Sequence, residues 1–336
     1  MMKKISLFAV LIMAGLIVPG VMTLADEKTS VENIDYREEM RKFVELISAR
    51  SKSRVARFYV IGQNALPLIT INGKHDGRLA KRYLKAIDGM GIEELFYGHE
   101  RAGVRSSEQI TRYMLPYLER LCNAGKTVMV VDYVASLTQA EDSHRLSSEK
   151  SFISFQGQPQ LSTIPPWKFD ISMSPVTSLD DAGNFLYLLN PSGFRNREAY
   201  LNALHETNHD MLVIDAFFWG SPLTSSEVSS LKKKRSGEGR LVFSYMSIGE
   251  AEDYRYYWKD SWKKSPPHFL ERENLRWRGN YKVRYWMEQW QQLICGSGDG
   301  EDFESSYLGR VINAGFDGVY LDILDAAFYF EQKNPR

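Results

Sequence analysis

The sequence predicts an α/β fold, a (β/α)8 barrel that forms a single domain. Short apolar runs recur along the chain, and most of them end in a polar or acidic residue. Helix-like stretches separate the runs, and this alternation of strand and helix is typical of a parallel sheet. Because the runs are short and continuously apolar, we expect strands that are buried on both faces. An open doubly wound sheet is the alternative, but the sequence has no Walker A motif and no G-x-G-x-x-G after its first strand.

Eight apolar runs are predicted to be the barrel strands. In chain order they are residues 57–64, 94–98, 127–133, 151–157, 211–217, 240–250, 282–286 and 317–323. The run FLYLLN at 185–190 is a ninth candidate, which forms either a further strand or part of an insertion. The count of eight strands therefore depends on how this run is assigned.

Three of the intervening stretches carry signals of helix. Thr224 and Glu227 have the spacing of a capping box, and the basic run 232–235 then complements the negative end of that helix as a solvated terminus. The stretch 304–318 has one apolar face and a glycine near its end, which is typical of a helix and its stop. The stretch 109–126 is similarly periodic, with a proline inside it that predicts a kink or a break.

The N-terminus has the pattern of a secretory signal peptide. Lys3 and Lys4 precede an apolar stretch that is short for a membrane span, and a Pro-Gly pair and small residues follow it. We therefore predict a signal peptide at 1–25 and a secreted or periplasmic protein with no stable membrane span after cleavage. An uncleaved anchor is the alternative. The mature chain is then predicted to hold an N-terminal helical extension at 26–56 and the barrel at 57–336.

The overall composition gives no reason to expect a nucleic acid partner or a cofactor. The chain has 42 basic and 42 acidic residues, so it lacks the excess positive charge that is typical of nucleic-acid binding. The six histidines do not have the spacing of metal ligands, and we predict neither a metal nor an organic cofactor. Cys122 and Cys295 could form a disulfide, but we favour two separate thiols.

Four acidic residues end different predicted strands: Asp132, Asp215, Glu250 and Asp322. Active sites of (β/α)8 barrels lie at the carboxyl ends of the strands, so these acids are expected to converge on one mouth. They would repel one another unless one is protonated, solvated or bound to a cation. Glycosidases use such an arrangement, with one carboxyl protonated and a second one ionised. The alternative for any single acid is that it caps the helix that follows.

Aromatic residues lie close to these acids in the sequence. The stretch YMSIGEAEDYRYYW (245–258) and the stretch VRYWMEQWQ (283–291) are rich in rings, on which the apolar faces of sugars can stack. Rings are individually more often core residues, but this proximity favours a carbohydrate cleft. Within the first stretch we expect Gly249 to turn the backbone without a Cβ clash and Asp253 to pair with Arg255. Glu252 is an alternative to Glu250 in the catalytic role.

Seven motifs resemble glycoside hydrolase family 114: FYVIGQNALPLI, AIDGMGIEELFYG, VVDYV, LVIDAFF, YMSIGEAEDYRYYW, GNYKVRYW and GFDGVYLDILDA. The resemblance runs from Arg57 to Phe330 and is closest to the secreted bacterial and archaeal branch, which is labelled endo-α-1,4-polygalactosaminidase-like. It implies a TIM-type barrel that hydrolyses a galactosamine-containing polysaccharide without a metal or organic cofactor. The polysaccharide is the expected partner, and the chain is expected to be a monomer.

The resemblance also implies roles for individual residues. It makes Asp215 and Glu250 the two catalytic carboxylates. Met287-Glu288 departs from the Asp-Pro expected after the Tyr-Trp pair, so specificity differs here or Glu288 replaces that aspartate imperfectly. The candidates for substrate binding all lie within the quoted motifs: Gln63, Tyr97, Asp132, Tyr245, Arg255, Tyr285, Trp286, Asp322 and Asp325.

The mechanism follows from the position of the two catalytic candidates on adjacent predicted strands. Neighbouring strands lie roughly 5 Å apart, so Asp215 and Glu250 are expected to face each other across the cleft. Carboxyls about 5–5.5 Å apart are typical of retaining glycosidases, whereas inverting enzymes need about 6.5–9.5 Å. Glu250 is the expected acid/base because its side chain is longer. A non-catalytic polysaccharide-binding barrel and a metal-dependent carbohydrate deacetylase are the alternatives.

The predicted signal peptide can be tested directly. If residues 1–25 are removed on export, the exported protein begins at Asp26, because signal peptidase cuts after small residues such as Ala25. N-terminal sequencing of the exported protein measures this. A chain that is exported and still begins at Met1 contradicts the prediction.

Overall fold

Eight parallel strands form a nearly closed barrel with helices around it, which confirms the predicted (β/α)8 fold. The computed structural model describes residues 34–298 and 300–335, so the predicted signal peptide lies outside the described residues. Hydrogen bonds join the strands in the order β4-β3-β2-β1-β8-β7-β6-β5, which leaves a seam between β4 and β5. The strands are β1 (Tyr59–Gln63), β2 (Gly89–Glu93), β3 (Thr127–Tyr133), β4 (Ile153–Gly157), β5 (Phe185–Leu188), β6 (Met211–Asp215), β7 (Leu241–Ser247) and β8 (Gly318–Asp322).

Two of the predicted barrel strands are wrong. The second strand is 89–93 and not 94–98, and its inward positions include glycines that an apolar-run criterion does not detect. A Cβ on Gly91 would lie 1.7 Å from Oη of Tyr320, so the tyrosine ring of β8 occupies the space of the missing side chain. The run 282–286 is not a barrel strand either. The ninth candidate, at 185–190, contains β5 and takes its place in the barrel.

A small antiparallel sheet stands at the carboxyl end of the barrel. It consists of Glu250–Glu252, Asn280–Val283 and Leu270–Glu273, with Asn280–Val283 in the middle. The predicted strand 240–250 is therefore divided, because β7 ends at Ser247 and Glu250 begins the small sheet. Most of Asn280–Val283 is half-buried, which explains why this run is not a core strand of the barrel.

The helices occupy most of the connections between strands. The capping box is confirmed, since Thr224 Oγ1 accepts a hydrogen bond from the Glu227 amide and Glu227 accepts one from the Thr224 amide. Lys234 contradicts the prediction of a solvated basic terminus, because it is buried and lies 2.6 Å from Asp210. The α-helices are α1 (Tyr36–Arg54), α2 (Lys81–Ala86), α3 (Glu108–Asn123), α4 (Leu137–Ser148), α5 (Arg197–His205), α6 (Ser225–Leu231), α7 (Glu288–Cys295), α8 (Glu301–Ser305), α9 (Tyr307–Asn313) and α10 (Ala326–Lys333).

Helix α1 packs against the barrel and against α10 through a row of apolar residues, Met40, Phe43, Val44 and Ile47. Arg41 on the same helix is buried, and its guanidinium donates hydrogen bonds to the carbonyl oxygens of Leu68 (2.9 Å) and Thr70 (2.6 Å). These hydrogen bonds fix the position of the helix against the loop that follows β1.

Three further findings concern the chain as a whole. Helix α3 continues through Pro116 without ending there. Cys122 and Cys295 are separate free thiols, as favoured from the sequence. Within 34–298 and 300–335, none of the helices has the length and apolar character that crossing a membrane requires.

The close contact at Gly91 predicts a loss of stability on substitution. A methyl group in Gly91→Ala would collide with the buried ring of Tyr320, and overpacking of this kind costs about 1–3 kcal/mol. Urea unfolding measures the free energy of unfolding. Gly298→Ala is the matched control, because a Cβ there would have no atom within 4 Å. Equal stability of the two variants would contradict the packing described for β2.

Candidate active site

Three candidate residues share the inner face of the barrel near its carboxyl end. Asp215 is in register with Tyr245 on the neighbouring strand, and Asp322 is in register with Ser247, two positions further along. Residues in register on parallel strands point to the same face, so Asp215, Tyr245 and Asp322 all face inward. The structure therefore brings these three candidates together at the mouth of the barrel.

The turn that follows β7 places Glu250 at this mouth. A Cβ on Gly249 would lie 2.0 Å from the carbonyl oxygen of Ile323, so a glycine is required where this turn meets the loop after β8. The Ile248 amide donates to the Asp322 carbonyl (3.1 Å), and the Trp290 indole donates to the Ile248 carbonyl (2.8 Å). Glu250 is thus held by a backbone that is fixed on both sides.

The carboxyl of Glu250 is buried, and only one of its two oxygens has hydrogen-bond partners in the part of the chain that the structure describes. Its Oε1 accepts hydrogen bonds from Nδ2 of Asn274 (2.8 Å) and from Nζ of Lys282 (3.2 Å), while Oε2 has no hydrogen-bond partner among the described residues. Burial raises the pKa of Glu250, and the nearby charge of Lys282 opposes this only in part. Glu250 is therefore a carboxyl that holds its proton more firmly than an exposed glutamate does.

Lys282 is shared by more than one carboxyl. Asp325, which precedes α10, has its pKa raised to about 7 by burial, with Lys282 opposing the shift and Asp322 and Glu250 adding to it. Tyr245 donates its hydroxyl proton to Oδ2 of Asp322 at 2.8 Å. One ammonium group cannot neutralise three neighbouring carboxylates, so this side of the mouth favours a bound proton.

Asp215 has a different environment from Glu250. Its Oδ1 accepts hydrogen bonds from Nη1 of Arg255 (2.7 Å) and from the Phe217 amide (2.9 Å). Arg255 is buried, and its Nε also binds Oε2 of Glu252 at 2.6 Å. The carboxyl of Asp215 is thus paired with a buried guanidinium, whereas one oxygen of Glu250 has no hydrogen-bond partner among the described residues.

The expected pair between Asp253 and Arg255 is wrong. Asp253 lies 3.0 Å from Lys263 on the surface, whereas Arg255 bridges Asp215 and Glu252. The difference arises because Glu252 and Arg255 are both buried while Asp253 is half-exposed. Both carboxylate oxygens of Glu252 are occupied, by Arg255 and by the hydroxyl of Tyr254, which leaves Glu252 in a supporting position.

Three substrate-binding candidates end or follow other strands. Gln63 is buried inside the barrel and accepts a hydrogen bond from the Tyr187 hydroxyl at 3.1 Å. Asp132 lies on the outward face of β3, where it binds the Phe96 amide (3.0 Å) and Ser143 of α4 (2.7 Å). Burial raises the pKa of Asp132 to about 6. Tyr97 donates to Asp142 of α4 at 2.8 Å. The structure therefore does not bring Asp132 or Tyr97 to the acids at the mouth.

The expected aromatic wall is mostly a buried core. The hydroxyl of Tyr285 donates to the Tyr36 carbonyl of α1 (2.6 Å), and the ring of Trp286 lies 5.0 Å from that of Tyr36. Tyr257 and Trp290 pack edge to face at 5.7 Å and are also buried. These rings pack against one another and against residues of helices α1, α9 and α10, which corrects their interpretation as a cleft wall.

Several residues of the site were missed from the sequence. Lys282 faces Glu250 because the two residues are in register in the small sheet. Because the sequence predicts 282–286 as a barrel strand, it does not predict this contact. Glu93 ends β2 on its inner face and accepts a hydrogen bond from Asn64 at 2.7 Å. The correct second strand would have identified it. Nothing in the sequence pattern indicates Asn274.

Glu288 does not take the place of an aspartate at the mouth. It is exposed on α7 and accepts a hydrogen bond from Gln292 one turn later on the same helix (3.0 Å). The Met287-Glu288 departure thus leaves the mouth without a carboxyl from this position.

The candidate site lies in a segment of the chain that matches a known protein family. Residues 192–335 match the model of glycoside-hydrolase family GH114, which confirms the family resemblance over this part of the chain. The segment contains Asp215, Glu250, Lys282 and Asp322. The match supports a glycoside hydrolase.

Three curated proteins are similar to parts of the chain, and each is named only as uncharacterized. The protein MJ1477 of Methanocaldococcus jannaschii is 36% identical over 142 residues, which are 41% of this chain and 37% of that protein. A Thermotoga maritima protein is 42% identical over 95 residues (28% of this chain, 26% of that protein). A Deinococcus radiodurans protein is 38% identical over 127 residues (38% of this chain, 36% of that protein). The matches therefore span between a quarter and two fifths of these relatives.

The raised pKa of Asp325 predicts how stability changes with pH. The folded state retains the proton up to about pH 7 while the unfolded state loses it near the ordinary value of 3.8, so the folded state binds more protons in between. Stability due to this group is therefore complete below pH 4 and falls as the pH rises to 7. Asp325→Asn removes this loss, so the variant gains stability over the wild type across that range, by at most about 1.4 kcal/mol per pH unit.

Denaturant unfolding at several pH values measures this difference. Asp180→Asn is the control, because Asp180 is exposed and lies in the first turn of a short helix. Its stability should follow that of the wild type. A constant difference between Asp325→Asn and the wild type from pH 4 to 7 would contradict the assignment of a retained proton.

Proposed function

We propose that this protein is a secreted glycoside hydrolase that cleaves a galactosamine-containing polysaccharide. The match of residues 192–335 to glycoside-hydrolase family GH114 supports the reaction class. The observation that carries the proposal is the contrast between two carboxyls at the mouth of the barrel. Glu250 is buried with a raised pKa and an unpartnered Oε2, whereas Asp215 is bound to Arg255. Two carboxyls whose environments oppose each other are the pattern of a general acid and an ionised partner.

Each carboxyl then has one role. Protonated Glu250 donates its proton to the glycosidic oxygen as the bond to the leaving sugar breaks. Asp215 uses Oδ1 to hold Arg255 and the Phe217 amide, which leaves Oδ2 to face the anomeric carbon. If Asp215 attacks that carbon directly, a glycosyl-enzyme forms, and Glu250 then removes a proton from the water that releases the sugar. We favour this retaining course over an inverting one, and the anomer of the first product distinguishes the two.

Burial of an unsatisfied carboxyl favours an enzyme over a binding protein. A buried polar oxygen without a partner costs free energy of folding, which a surface that only holds sugars has no need to incur. The substrate is inferred from the family resemblance, and the mouth fits it chemically. Glu250 and Asp325 share one lysine, Lys282, and Asp322 lies close enough to act on both carboxyls, so polar acceptors for the groups of an amino sugar are present at the mouth. Secretion is inferred from the N-terminal pattern.

Isosteric removal of each carboxylate tests the proposal. Asp215→Asn and Glu250→Gln preserve shape but remove the acid–base group, so each should lower kcat by at least about 10²-fold on a galactosamine polysaccharide. Release of reducing ends measures turnover, and thermal unfolding verifies that the fold is intact. Glu288→Gln is the matched control, because Glu288 is exposed on α7 and should leave turnover unchanged.

The outcomes separate the three function classes. Near-wild-type turnover in either carboxyl variant would overturn the assigned roles and direct attention to Asp322. Binding of polysaccharide without release of reducing ends by the wild type would indicate a binding barrel. Release of acetate that stops with a chelator and returns with an added metal would indicate a deacetylase. We expect hydrolysis that a chelator does not affect.

A further inference from the structure

One aromatic ring near the site is left in solvent. Three of the phenylalanine, tyrosine and tryptophan side chains in the described residues are exposed, and Trp219 is the most exposed of them at 61%. It lies at the tip of a short hairpin, in which Phe217–Phe218 pairs with Ser221–Pro222. The ring closest to it is that of Phe218, with centroids 6.5 Å apart. The indole therefore contributes little to the core.

The backbone at the tip of this hairpin does not suit a tryptophan. Trp219 and Gly220 both have positive φ, 49° and 81°, which is the conformation of a two-residue type I′ turn. Asn-Gly is the preferred sequence for this turn, and a bulky residue with a Cβ is disfavoured in its first position. A turn that only joined two short strands would be more stable with asparagine. The chain instead has an exposed ring on a strained backbone, a combination that is typical of functional positions.

The hairpin is attached directly to the catalytic candidate Asp215. The Phe217 amide at its base donates to Oδ1 of Asp215 (2.9 Å), and the Leu223 amide after it donates to the Ala216 carbonyl (2.9 Å). At its tip, the Cα of Gly220 faces the carbonyl oxygen of Tyr254, which a Cβ would approach to 3.7 Å. The hairpin tip therefore lies at the rim of the mouth, beside the cluster formed by Asp215, Arg255 and Glu252.

We propose that Trp219 is a stacking platform for a pyranose ring of the bound polysaccharide, on the Asp215 side of the bond that is cleaved. This inference rests on the proposed function and adds a binding subsite to it. A pyranose presents an apolar face of C–H groups, and an exposed indole offers a flat apolar surface of matching size. Because Trp219 is at the rim, it contacts a sugar unit of an extended chain next to the unit held at the carboxyls.

The test uses binding as well as turnover. Trp219→Ala in a Glu250→Gln background is titrated calorimetrically with a galactosamine polysaccharide, in its free-amine and its N-acetylated form. We expect roughly three- to tenfold weaker binding of the form that the parent binds, from loss of an aromatic contact. In the active protein, the same substitution should raise KM for the polymer. Tyr113→Ala removes an exposed ring from α3 and should change neither quantity.

Trp219→Asn separates a binding role from a structural one. Asparagine suits the left-handed turn, so this variant should have a higher Tm than the parent while it binds the polymer as weakly as Trp219→Ala. Weak binding that occurs only together with a lower Tm would overturn the subsite, since it would indicate a structural effect.

Two further outcomes distinguish the subsite from the function on which it rests. Unchanged binding and KM in Trp219→Ala, with a wild type that cleaves the polymer, overturn the subsite and leave the proposed function intact. A wild type that cleaves neither form, with a Glu250→Gln parent that binds neither, overturns both.

Discussion

The buried guanidinium of Arg255 is the interaction on which the site depends. It binds Asp215 at the end of β6 and Glu252 in the small sheet, so it joins the barrel to the structure that stands on its mouth. The rings of Phe217, Tyr254 and Tyr307 surround it at 5.1–5.5 Å, so the guanidinium is buried from solvent. Loss of one partner would leave buried charges uncompensated, which costs about 3–5 kcal/mol in comparable cases.

Because Arg255 is committed to Asp215 and Glu252, Glu250 depends on a weaker partner. Lys282 is half-buried and lies 3.2 Å from Glu250, and it also acts on Asp325. The positive charge is therefore distributed unequally between the two sides of the mouth. Asp215 is paired with a buried guanidinium, whereas Glu250 shares a half-buried ammonium group with Asp325, and the proposed mechanism rests on this difference.

Rings and acids that lie together in the sequence differ in burial and direction in the fold. The stretch 245–258 contains inward-facing Tyr245, buried Tyr257 and exposed Tyr256, because its turns and short strand direct successive side chains to different sides. Trp258 packs on Tyr281 of the small sheet, with ring centroids 4.6 Å apart. The exposed ring beside Asp215 comes from another segment, the hairpin that carries Trp219. Sequence proximity therefore identified the region of the site but not which of its rings are exposed.

The sequence by itself determined the barrel, six of its eight strands and the strand-end position of Asp215. These features follow from local periodicity, since a strand buried on both faces must be short and apolar wherever it lies in the barrel. The family motifs likewise identified the segment that contains Glu250. What lies in one contiguous stretch could be recognised without knowledge of distant contacts.

Only the tertiary structure decided the rest of the site. The glycine-rich β2 is a strand because Tyr320 of β8 fills the space above Gly91. Lys282 and Asn274 contact Glu250 because of an antiparallel sheet that no local pattern specifies. Arg255 binds Asp215, which lies 40 residues away in the chain. Asp132 has the same strand-end pattern as Asp215 but faces α4. Register and packing determine which face of a strand a side chain lies on and which distant charge it contacts. Both depend on contacts between segments that are far apart in the sequence.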